Sequence, residues 1–282
     1  MLGLAPGAFG WLRDLPDPRD YCPDHPTVRA TLKELKKEIG GRPKRVDLAE
    51  YFPAVEHPHG IYLSSSSACV AVANYFQRRS VGETTCGSRL FLFQNARKLS
   101  GGVGNCGADL RTTLKALARF GLPPERYGPN DPSRIEREPE PFLYAFGREY
   151  QSLVYVRLDP IGWAGAHVLQ SVKAHLAAGF PSVFGFPAFD SLTRDADVPF
   201  PTRFNSVLGG SAAVAVGYED TRRIRSTKGA LRVRMLWGGD WGDDGYGWLP
   251  YAYVEEGLAV DFWTLLRSDW LASGEFVRPS YS

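Results

Sequence analysis

The sequence predicts an α+β protein, and three observations carry that prediction. Apolar residues recur at helical spacing through the first half of the chain, while the second half reads mostly as strands. Helices first and strands afterwards, in one chain of 282 residues, suggest a helical lobe packed against a sheet lobe. Hydrophobic residues make up 44% and charged residues 23%, enough apolar material for one large core or two lobes sharing an interface. Two such lobes leave a cleft between them, the usual place for a site.

Residues 1–27, with "LPDPRDYCPDHP", read as an extended arm, because proline withholds the amides a helix needs. "VRATLKELKKEIGG" then places Val28, Leu32, Leu35 and Ile39 on one stripe and stops at Gly-Gly, the pattern of an amphipathic helix. "GRPKR" reads as a linker, so residues 1–45 form an N-terminal arm and helix, and the body begins near Val46. Helices are expected at 64–79, 88–102 and 108–121, the last with Leu110, Leu114 and Leu117 inward. A proline-rich crossing at 123–141 follows, so the helical lobe spans about 59–145 and the β lobe about 150–282. There "QSLVYVRL" opens a strand, a helix covers about 166–178, and "PSVFGFPAF", "SAAVAVGYE", "ALRVRMLWG" and "GYGWLPYAYV" supply the rest. In "ALRVRMLWG" the period-two rule sends Arg232 and Arg234 to solvent and Leu231, Val233 and Met235 inward.

Composition narrows the function. A formal charge of +2 points to no polyanionic partner, and no apolar run reaches the ~18 residues that suggest a membrane span. The first twenty residues lack the layout of a signal peptide, which makes the cytoplasm the expected compartment. Cys22, Cys69, Cys86 and Cys106 show no CxxC and no histidine at metal-ligand spacing, so neither metal nor cofactor is expected. A Cys86–Cys106 disulfide stays open. "TRRIRSTKGALRVR" (221–234) concentrates basic residues and reads as a polar hairpin face, with a docking patch for an acidic partner as the alternative. It lacks the aromatic interleaving of a nucleic-acid surface.

The start of the 64–79 helix is unusual. Ser64 to Ser67 stand together, and an N-cap role accounts for one serine, with Ser65 read as the cap. Cys69 lies one turn beyond Ser65 and reads as a small buried hydrophobe. His59 reads as a loop histidine. The sharper reading makes it a base for Ser65, backed by Glu56 or Asp240. His167 and His175 read as surface or capping residues, and Trp237, Trp241, Tyr246 and Trp248 as packing near the cleft.

Seven stretches, in order, together resemble the papain-like, C1-type cysteine peptidases, particularly divergent bacterial members. They are "GWLRDLPDPRDY", "VDLAEYFPAVE", the loop-to-helix at 59–76, "SRLFLFQNARKL", "LGGSAAVAVGYED", "WGGDWGDDGYGWLPYAYV" and "LAVDFWTL". The resemblance implies the papain-like fold, a helical lobe and an antiparallel sheet or barrel lobe with a cleft between. It also implies a glutamine for the oxyanion hole, a nucleophilic cysteine, a histidine and an orienting asparagine. Carried over, those places fall on His59, Ser65 (Ser64 if the loop shifts by one), Ser211 and Met235, the last followed by Leu236. A helix dipole and an imidazolium can hold a thiol as thiolate but cannot ionise a serine hydroxyl, and Ser211 is no base.

The expectation is therefore an inactive peptidase homologue that binds a peptide, a protein partner or a small molecule in the cleft. Ser65, Cys69, Ser211, Met235, Trp237 and Trp241 are its candidate ligand-binding residues. The alternatives are a repurposed enzyme, performing acyl transfer or a rearrangement of an apolar small molecule with Ser65 and His59, and a structural subunit of an active relative. The resemblance also implies that residues 1–45 correspond to a pro-region, here retained as a plug of the groove.

Overall fold

The computed structural model describes residues 9–26, 43–55, 61–82, 85–147 and 153–267. The helix expected at 28–41 lies outside these residues, as do Glu56, His57 and His59. Described elements are β1 (Trp11–Leu12), β2 (Arg45–Asp47), α1 (Ser64–Val81), α2 (Arg89–Ser100), β3 (Ala108–Asp109), α3 (Leu110–Phe120) and α4 (Pro141–Phe146). There follow β4 (Leu153–Arg157), α5 (Gly165–Ala177), β5 (Ser182–Phe189), β6 (Val207–Ile224), β7 (Thr227–Arg234), β8 (Tyr246–Pro250), α6 (Ala252–Glu255) and β9 (Val260–Arg267). The helices and strands read from the sequence within these residues are present, with ends shifted by a few positions, except that the "GYGWLPYAYV" strand stops at Pro250 and Ala252–Glu255 form α6.

The helical lobe forms as the local signals require. Ser88 caps α2 by accepting from the Phe91 amide, and Asp109 caps α3 by accepting from that of Thr112. α3 is amphipathic, burying Leu110, Leu114 and Leu117. α1 is different: it is buried nearly all round from Ser64 to Phe76, the behaviour of a helix enclosed on every side. Its small residues, Ala68, Ala71 and Ala73 among them, let it lie close against the sheet.

The sheet lobe is a seven-stranded sheet in the order β4-β9-β5-β6-β7-β8, with β2 paired to β6. Every pairing in it is antiparallel. One continuous apolar core joins α1 to the inner faces of β5, β6, β7 and β9, so the lobes share their interior. A second, short sheet pairs β1 with β3 in parallel.

One strand expectation fails. Leu231, Val233 and Met235 do face inward and are fully buried, but Arg234 is buried as well. The segment 43–55 covers that face, and the Arg234 guanidinium donates to the carbonyls of Pro53 (3.3 Å) and Ala54 (2.9 Å). Arg232 reaches Asp243 at 2.9 Å. Alternation places a side chain on a face, but only the neighbouring chain decides whether that face is wet.

Phe184 sits at the centre of the shared core, fully buried and stacked on Phe262 with ring centroids 4.8 Å apart. Phe184→Ala is expected to cost about 3–5 kcal/mol, read as a lowered midpoint in chemical denaturation with the slope unchanged.

Candidate functional site

The start of α1 lies where both lobes meet, and the chain's own N-terminal segment fills it. The Gly10 amide donates to the Gly210 carbonyl of β6 at 3.1 Å, and the Gly10 carbonyl accepts from the Ala108 amide of β3 at 2.8 Å. Residue 10 thus joins the sheet lobe to the helical lobe through its backbone alone. Close approach of the segment leaves no room for side chains on the wall beneath it. A Cβ added to Gly210 would lie 2.4 Å from the Trp11 carbonyl oxygen, and one on Gly185 would lie 1.9 Å from the Trp11 indole. Gly185 and Gly210 therefore form a slot that holds the ring of Trp11. At its edge the Trp11 Nε1–H donates to Asp261 Oδ2 at 3.2 Å.

This occupancy explains the serines, and it corrects the capping expectation. The N-cap of α1 is Leu63, and no side chain caps the helix. The Ser64 amide instead donates to the carbonyl of Phe9 at 3.1 Å, so a backbone oxygen takes the place at the helix terminus. Ser65 is buried, and its hydroxyl donates to the Ala108 carbonyl at 2.7 Å. The hydroxyls of Ser64 and Ser66 are buried with no partner. Serine is small enough to lie beneath the N-terminal segment, which is the work these residues do here.

The remaining ligand-binding candidates, Ser211, Met235, Trp237, Trp241 and Cys69, are all buried. Ser211 follows Gly210 on β6, and its hydroxyl accepts from the Trp237 Nε1–H at 3.2 Å. Met235 is fully enclosed in the core. Trp241 packs edge-on against Trp237, centroids 4.9 Å apart, and donates to the Thr193 carbonyl. Cys69 is fully buried, and burial, reinforced by the charges of Asp14 and Asp109, holds its thiol well above the ordinary range. A thiol so held is inert. Cys86 and Cys106 are not joined in a disulfide, and the Cys86 thiol donates to Glu125 Oε2 at 3.3 Å. Of the described histidines, His25 packs on Tyr21, His167 stacks on Trp163, and His175, which is buried rather than at the surface, meets the Ser171 carbonyl. Asp240 pairs with Arg194 on the surface.

With the geometry in place, comparison with known proteins is informative. No protein-family model matches the chain. An uncharacterized peptidase C1-like protein of Acanthamoeba polyphaga mimivirus is 29% identical over 91% of this chain and 86% of its own length. Xylellain, a cysteine protease from Xylella fastidiosa, superposes with a TM-score of 0.74 at 28% identity, covering 95% of this chain and 98% of that one. The chain has the papain-like fold and is similar in sequence to C1-type cysteine peptidases. Procathepsin B from Trypanosoma congolense shares the fold at a TM-score of 0.63 and 16% identity, with 93% of this chain and 86% of that one covered. No described helix of this papain-like chain is long and apolar enough to cross a membrane.

What anchors the N-terminal segment in the papain-like cleft was missed by sequence reasoning. Asp14 is buried, and its amide donates to Asp261 at 2.9 Å. Its carboxylate accepts from Trp263 Nε1 (2.7 Å), from the Arg111 amide (3.2 Å) and from Arg157 (3.3 Å). Arg157 also meets Asp261 at 2.8 Å, Asp159 at 3.1 Å and Asp20 at 3.5 Å, while Arg111 grips Asp20 with two bonds. Four carboxylates thus crowd two guanidiniums out of water. The signal existed, since "GWLRDLPDPRDY" and "LAVDFWTL" both marked the family, but nothing in either stretch says that they touch.

Excess buried negative charge favours a bound proton. Burial, helped by Asp261, pushes the Asp14 carboxyl up to about 7, and burial does the same to Asp159 against the pull of Arg157. Burial also raises Asp261. The groups facing Asp14 are Arg111, Arg157, Asp20, Asp109, Asp159 and Asp261, with Arg13 beside the last. Unfolded aspartates titrate near ~3.9. Raised folded values mean that the stabilisation is complete below that pH and is lost as pH rises through about 7. Hydrogen exchange, corrected for intrinsic rates, is therefore expected to show the Asp14 and Arg111 amides losing protection between about pH 4 and 7, with little further loss above, and Asp14→Asn to flatten that dependence.

Proposed function

We propose that this chain is a catalytically inactive papain-like peptidase homologue whose cleft is a peptide-binding groove filled by its own residues 9–14. The pair of bonds at the start of α1 carries the reading. The Phe9 carbonyl occupies the Ser64 amide, and Ser65 spends its hydroxyl on the Ala108 carbonyl. In the family's arrangement that helix terminus serves a thiolate, with an imidazole and an asparagine beside it. Here Ser65, Ser211 and Met235 stand at those places and His59 stands for the oxyanion glutamine. A hydroxyl without a base is no nucleophile at neutral pH, and a methionine orients nothing.

Residues 1–45 correspond to a pro-region in this reading, retained rather than removed, since there is no thiolate to restrain. Xylellain is a cysteine protease, so loss of cutting is a difference from that relative and not a property of the fold. Thiols not joined in disulfides fit a reducing compartment, and we place the protein in the cytoplasm. Conversion to acyl transfer or rearrangement gains no support from the geometry, because the Ser65 hydroxyl is committed and enclosed.

Purified protein incubated with a broad peptide library is expected to release no new termini, and thiol-directed epoxides to leave residues 64–69 unlabelled. Turnover, or a covalent adduct on that helical turn, removes the proposal. Ser65→Ala is expected to lower stability by about 1 kcal/mol, because the Ala108 carbonyl loses its donor.

A further inference from the structure

The resident segment displays what the groove selects. Its backbone is held at Gly10 by one bond from each lobe, which any peptide could make at that point if its residue were small enough. The side-chain information sits one residue on. Gly185 and Gly210 leave a flat slot whose wall would be 1.9 Å from the indole were a single carbon added to Gly185. An aliphatic side chain would fill such a slot poorly, whereas a planar ring fits it. The acceptor at its edge is Asp261, which is fully buried and already receives Arg157 and the Asp14 amide. Its Oδ2 takes the indole N–H as well. A ring without a donor leaves that interaction unmade at a buried carboxylate.

We infer that the groove is a receptor for polypeptides presenting a Gly-Trp pair, read by the Gly185–Gly210 slot and the Asp261 carboxylate, with residues 9–14 as its resident ligand. The inference rests on the proposed reading of a groove that binds without cutting. A partner must offer a glycine between the lobes and an indole donor after it. It competes with a tethered copy of the same motif, whose effective concentration is of order millimolar for a short flexible tether. Exchange in trans therefore needs the resident indole to be withdrawn or weakened.

The test uses the full chain. Trp11→Gly vacates the slot while leaving Asp14 and its anchor in place. Indole is expected to bind this variant saturably in calorimetry and not the wild type, with 1-methylindole, which lacks the N–H, about tenfold weaker or worse. No indole binding by the variant, or equal affinity for the two compounds, overturns the inference. Should Trp11→Gly not fold, Trp11→Phe keeps a ring in the slot without a donor. The synthetic octapeptide AFGWLRDL (the sequence of residues 8–15) is then expected to bind it at least about tenfold more tightly than it binds the wild type. Equal binding overturns the inference. Mass spectrometry of the octapeptide after incubation reports cleavage separately, so failure of the inactive reading is distinguishable from failure of the slot.

Discussion

The Arg157 guanidinium, at the end of β4, is the point on which the arrangement turns. It meets Asp14 and Asp20 from the N-terminal segment, Asp159 from the turn after its own strand, and Asp261 from β9. Buried ion pairs are weak evidence of net stability, because desolvation offsets much of the attraction. Their strength lies in intolerance: removing one member leaves the others charged and unpaired in a medium that solvates them poorly. The cluster accordingly fixes one position for the N-terminal segment and penalises all others. Phe9 to Leu12 are carried into the cleft as a consequence.

From that anchor the state of the α1 terminus follows. A helix start offers unpaired amides and a positive partial charge, and something must answer them. In a working cysteine peptidase the answer is a thiolate. Here it is the neutral carbonyl of Phe9, which satisfies the hydrogen bond without supplying a charge. A carbonyl cannot attack a peptide bond, so in the proposed reading this helix terminus makes a structural bond rather than serving a nucleophile. The buried serines beside it suit an occupied cleft, where a larger side chain would push the N-terminal segment away.

Much of this was legible in the amino-acid order. The helical first half, the strand-rich second half, the inward Leu231, Val233 and Met235, and the resemblance to papain-like peptidases were all written in spacing and motif. The failures have a common cause. Ser65 reads as a cap from its position alone, yet Leu63 holds that position and Ser65 turns to Ala108. Arg234 reads as exposed from alternation, yet the Pro53 and Ala54 carbonyls lie over it. Asp14 and Asp261 carry no signal in the sequence, because 247 positions separate two groups in direct contact.

What the sequence determined by itself was local and periodic: where helices and strands run and which faces are apolar. Those depend on propensity and on residues within a few positions of one another. Only the tertiary structure decided that the cleft is filled, and by which residues. That outcome depends on a desolvated charge cluster and on an indole seated over two glycines, contacts between segments far apart in the chain. No period encodes them, because their free energy exists only once folding has removed the water between their members.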